Sequence, residues 1–115
     1  MLLKFGVDIY HLKRPLRKKL GVIDNIFKEY TEMSEAVITS TRNDLHSLES
    51  LHFDDNAIDL RSPKKPEIRG VKPLSLKEFC NLLQGGLGDD FDVVLEGNHI
   101  HVEYDPNGEN IGKTD

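Results

Sequence analysis

Apolar side chains at Leu16, Leu20, Ile23, Phe27 and Tyr30 recur at steps of four, three, four and three, with mostly charged or polar residues between them. Those steps lay one apolar stripe along a helix of 3.6 residues per turn. Pro15 suits its first turn, where the missing N–H would have no partner anyway, so the pattern predicts an amphipathic helix over 15–34. The β-branched run Ala36-Val37-Ile38-Thr39-Ser40 predicts a strand, and the polar stretch 41–50, which has no period, predicts a loop. Asp54-Asp55-Asn56 has turn composition and Ala57-Ile58-Asp59-Leu60 has that of a short strand; three prolines and several charges between Pro63 and Pro73 predict an irregular linker. Ser75-Leu76-Lys77-Glu78 has the form of a capping box, in which hydroxyl and carboxylate each satisfy a backbone N–H, so a second helix should start at about 76. Leu76, Phe79, Cys80 and Leu83 form its stripe, and Gly85-Gly86 is the expected stop. Downstream, 91–95 and 99–104 are strand-like runs about Glu96-Gly97-Asn98, which predicts a hairpin. Period two then puts His99, His101 and Glu103 on one face and Ile100, Val102 and Tyr104 on the other.

These elements add up to an α+β fold: a small antiparallel sheet, including the 36–40 strand and the 91–104 hairpin, packed on helices near 16–34 and 75–84. The opposite, open face of the sheet is where a site would lie. A length of 115 residues has room for one domain, 1–115, with a Gly- and Asn-rich tail at 106–115 expected to fray. A 37% apolar content is enough for a small core, and 30% charged residues argue against a fibrous chain. No apolar run approaches the roughly 20 residues that a membrane helix needs, and Met1-Leu2-Leu3-Lys4 lacks a cleavable apolar region, so cytoplasmic synthesis without a signal peptide or membrane partner is the expectation. The lone cysteine, Cys80, cannot form an internal disulfide and sits where a small buried hydrophobe is expected. Lys13, Arg14, Arg17, Lys18 and Lys19 form a basic cluster, but the net charge is −5 and no aromatics interleave it, so no nucleic-acid partner is expected. Gly108 to Thr114 imitates a phosphate loop with one residue too few between its glycines and no following helix, and is set aside.

Metal-ligand residue types concentrate in two segments, 50–59 and 96–101. Zinc accepts neutral imidazole and carboxylate, and a catalytic site combines three protein ligands with an open position and a nearby base. The segments supply those parts; two exposed strand histidines and an Asp-rich turn would carry the same residues without a metal. His11 and His46 have no motif around them and read as surface residues.

Ser50-x-His52 followed by Ala57-x-Asp59 resembles the Ser-x-His-x-x-Gly-x-Ala-x-Asp motif of the M15 zinc peptidases, with Asp55 in place of the glycine. His99-Ile100-His101-Val102-Glu103 is similar to that family's closing His-x-His strand, and Ser40-Thr41-Arg42 to a shortened form of its Ser-x-x-Arg segment. The three elements stand in the family's order and cover residues 36–104. The resemblance implies a fold like that of the hedgehog proteins and DD-peptidases, and zinc-dependent hydrolysis of peptidoglycan stem peptides, of the D-Ala-D-Ala carboxypeptidase or L-Ala-D-Glu endopeptidase type. It implies His52, Asp59 and His101 as zinc ligands, with His99 in the pocket; a Glu-x-x-His alignment would instead select His99 as ligand beside Glu96. Glu96 is then the expected general base, Arg42 the positive charge at the oxyanion or a substrate carboxylate, and Ser50 a substrate hydrogen-bond partner. Small size and the lack of a leader fit a phage-encoded enzyme that meets the wall after lysis or from the virion. The rival expectations are a catalytically inactive binding module that keeps the metal, and a metal-free interaction protein that uses the basic 13–19 segment.

Overall fold

The computed structural model describes residues 1–3, 12–41, 57–68 and 70–106. It is a small α+β domain whose elements run β1 (Leu2–Leu3), α1 (Arg14–Tyr30), β2 (Val37–Thr41), β3 (Ala57–Arg61), β4 (Glu67–Ile68), β5 (Lys72–Pro73), α2 (Leu76–Leu87), β6 (Phe91–Glu96) and β7 (His99–Tyr104). Among the described residues five strands form one sheet in the order β1-β2-β3-β7-β6. It is mixed rather than purely antiparallel, because β1 joins β2 in parallel while every other neighbouring pair is antiparallel. A parallel neighbour needs a long crossover, and α1 lies within the one that leads from β1 to β2. Two leucines are too few to show a period, which is why β1 has no signature in the chain.

Both helices cover the same face of the sheet. Leu16, Ile23 and Phe27 of α1 and Phe79, Leu83 and Leu87 of α2 are buried with Ile38, Ile58, Leu60, Ile100 and Val102 in a single core cluster. The Phe27 and Phe79 rings meet edge to face at 5.0 Å between centroids, the arrangement their quadrupoles favour. Cys80 is buried in this cluster, and burial pushes its thiol pKa up, the behaviour of a small hydrophobe rather than a nucleophile. Among the described residues no helix is long and apolar enough to cross a membrane.

Three boundaries differ from the expectations, each for a local reason. Helix α1 stops at Tyr30 instead of 34, because Thr31 turns extended and its hydroxyl donates to the Phe27 carbonyl at 2.6 Å, closing the last turn. Helix α2 continues through Gly85-Gly86 to Leu87 and ends at Gly88, whose φ of +97° suits only glycine. Gly86 instead serves the contact between helices: a Cβ there would lie 2.7 Å from Cδ1 of Ile26. The 63–73 linker is not irregular throughout, since β4 and β5 pair about Gly70, at φ +67°. Pro73 is tolerated there because a two-stranded ladder consists of edges.

The capping box forms as expected, with Ser75 Oγ accepting from Glu78 N–H at 3.0 Å and Glu78 Oε1 accepting from Ser75 N–H at 2.8 Å. Ser75→Ala is expected to lower stability by about 1 kcal/mol, read as a lower urea midpoint with an unchanged slope.

Candidate metal centre

Register, rather than sequence proximity, builds the site. The two-residue connection Gly97-Asn98, with Gly97 at φ +61°, folds β7 back on β6 so that Glu96 faces His99, Val94 faces His101 and Asp92 faces Glu103. On the other side of β7, Ala57 faces Glu103, Asp59 faces His101 and Arg61 faces His99. Directly opposed residues share a face, so Asp59, Glu96, His99, His101 and Glu103 all stand on the face that the helices leave open.

At the centre is His101, 8% exposed. Its Nδ1 lies 2.9 Å from Asp59 Oδ1 and its Nε2 3.1 Å from Glu103 Oε1. The hydrogen bonds to Asp59 and then Glu103, with the charges of Asp59 and Glu96 adding to them against the cost of burial, raise its pKa from 6.5 to about 9. At neutral pH, both ring nitrogens therefore carry protons and donate to the two carboxylates. His99 stands beside this group, its Nε2 3.2 Å from Glu96 Oε1 and 3.9 Å from Asp59 Oδ1.

Asp59, Glu96 and His101 each offer a ligand atom within 4.8 Å of the others, a set that could hold a metal ion. Two carboxylates and an imidazole suit a divalent cation of borderline or hard character. An ion there would take one ring nitrogen of His101 in its neutral form, leaving the other nitrogen its bond to Asp59 or Glu103. A carboxylate behind a metal-bound imidazole fixes ring orientation and raises ligand basicity, so Glu103 is placed to orient His101. The motif resemblance assigns Glu103 no role; its two-residue step from His101, on the same strand face, is the signal that places it.

The structure thus brings together Asp59, Glu96, His99 and His101. The other expected site residues, Arg42, Ser50 and His52, lie outside the described residues, as do His11 and His46. No family model, curated protein or solved structure matches the chain.

Proposed function

We propose that this chain is a zinc-dependent peptidase of the M15 type, acting on peptidoglycan stem peptides. The observation that carries the reading is the meeting of Asp59 with His101, 42 residues apart in the chain, at 2.9 Å and with Glu96 within ligand range of both. The direct opposition of His101 to Asp59, against 3.9 Å for His99, favours His101 as the histidine ligand. His52, implied by the motif resemblance, would complete the ligand set with Asp59 and His101.

The ion, when bound, supplies Lewis acidity that activates water and polarises a carbonyl. Glu96 accepts the proton of the attacking water on its carboxylate and returns it to the leaving amine, so no covalent intermediate is needed. His99, against Glu96 at 3.2 Å, holds that carboxylate in place. Arg42 holds a substrate carboxylate or the developing oxyanion, and Ser50 donates a hydrogen bond to the substrate.

Incubation with muropeptides of known composition, with zinc or with chelator, followed by mass spectrometry of the fragments, tests the proposal. It expects cleavage at one amide type, abolished by chelation and restored by zinc; intact muropeptides in the presence of zinc overturn it. A second reading has an observation of its own: both nitrogens of His101 already hold carboxylates, a closed ion-pair network that can tie β3 to β7 without metal. That reading expects less than one equivalent of zinc on the purified protein and no loss of fold on chelation.

A further inference from the structure

Among the described residues the sheet ends at β6, which pairs with β7, and that edge runs directly into the residue we assign as base, Glu96. In a hairpin closed by two residues, Glu96 and His99 form a hydrogen-bonded pair, so by alternation Val94 and Asp92 also turn their N–H and C=O toward β7. The bond from Asp105 N–H to Asp90 O, at 2.7 Å, continues the same alternation. Phe91, Val93 and Leu95 therefore turn their backbone groups outward.

Half of that outward edge is already satisfied. The side-chain amide of Gln84 donates to Phe91 O at 2.6 Å and accepts from Val93 N–H at 3.2 Å, taking the place of one peptide group of a neighbouring strand. Phe91 N–H donates to Gly88 O. Val93 O, Leu95 N–H and Leu95 O have no partner among the described residues, and the apolar side chains of Val94 and Leu95 flank them, 42% and 37% exposed on opposite faces. Exposed edges are usually protected by charge, proline or cover. Here the cover given by the described residues ends at Val93 N–H, three residues before Glu96.

We propose that this open edge, Val93 O with Leu95 N–H and O, binds the substrate's peptide backbone in extended form, as the segment flanking the bond to be cut. The groups demand a backbone partner, since only an extended chain presents N–H and C=O at that spacing, and Val94 and Leu95 receive its alternate side chains. Three backbone groups, unpartnered among the described residues, bury far less than the roughly 1,200 Å² of a stable interface between two copies, which favours a short peptide over a second chain. An added strand lies two strand spacings, about 10 Å, from β7, so the paired segment sits about three extended residues from the reacting amide. The inference rests on the peptidase reading, and its test separates the two.

Backbone amide shifts of the metal-free protein, recorded while a disaccharide-pentapeptide muropeptide is titrated in, should move most at Leu95. Leu95→Pro removes the outward N–H and leaves the β6–β7 ladder intact, as proline on an edge allows. It is expected to weaken muropeptide binding and raise KM about fivefold to tenfold, the worth of one backbone hydrogen bond, with kcat and the zinc isotherm unchanged. Should Leu95→Pro fail to fold, muropeptides N-methylated at single amides, read on the parent protein, do the same work: a methyl on either amide that meets Val93 O or Leu95 O, about three residues from the cut bond, should lower binding. A Leu95 amide that stays still at saturation, a Leu95→Pro protein that binds as the parent does, equal tolerance of every N-methyl, or Leu95 shifts that follow protein concentration without peptide would each overturn the edge proposal. Muropeptide bound at Leu95 but left uncut in zinc supports the edge and removes the peptidase reading, whereas cleavage indifferent to Leu95→Pro does the reverse.

Discussion

Glu96→Gln protein is expected to bind zinc as the parent does and to hydrolyse muropeptides about 10²–10⁴ times more slowly, the usual contribution of a positioned general base. Glutamine keeps the size of the side chain and its hydrogen bond to His99 but cannot take a proton from water. A fall in kcat with KM and the zinc isotherm preserved is the signature of a group that acts in the transition state. The same variant also decides the part Glu96 plays, because its carboxylate lies within ligand range of Asp59 and His101. Loss of zinc affinity together with activity would make Glu96 a ligand and remove it as the base; unchanged hydrolysis would contradict both roles.

The metal-free protein is expected to lose stability as the solution turns alkaline. His101 binds its extra proton more tightly folded, at about 9, than unfolded, at about 6.5. A histidine with a raised folded pKa contributes its full stabilisation below about 6.5 and loses it as pH climbs through about 9. A shift of that size is worth about 2–3 kcal/mol between pH 6 and pH 9.5, the range allowing for water around the more exposed Glu103. Urea unfolding in the presence of chelator at the two pH values measures it, with His101→Gln as the reference that removes the titration. Equal pH dependence in the two proteins would place the stabilisation elsewhere.

Strong periodicity made the core elements legible. The stripe through Leu16, Ile23 and Phe27, the box at Ser75 and Glu78, and the turn at Gly97 each rest on interactions within a few residues, which local pattern encodes. Weak or distant causes left no such trace. The pairing of Leu2-Leu3 with β2 depends on a crossover, and the survival of Gly86 inside α2 depends on Ile26 of the other helix. Helix α1 ended early on one hydroxyl, that of Thr31, which composition cannot weigh against four more residues of helix.

The site divides in the same way. Alternation along one strand was enough to put His99, His101 and Glu103 on a common face, because a strand has only two. Which of the histidines meets Asp59 is a matter of register between β3 and β7, and nothing local in either strand states it; a slip of one residue would have turned Asp59 into the core. The raised pKa of His101 was equally illegible, since it needs Asp59 and Glu103 at opposite ends of the same ring.

Whether Asp59 and His101 share one divalent ion is decided by zinc titration of the chelator-stripped protein, with Asp59→Asn and His101→Ala alongside. The parent protein should bind one equivalent, and each variant should bind with an affinity at least about a hundredfold lower, because each removes a ligand rather than a supporting contact. A parent protein that takes up no zinc, or variants that bind it as tightly as the parent, would contradict a shared ion.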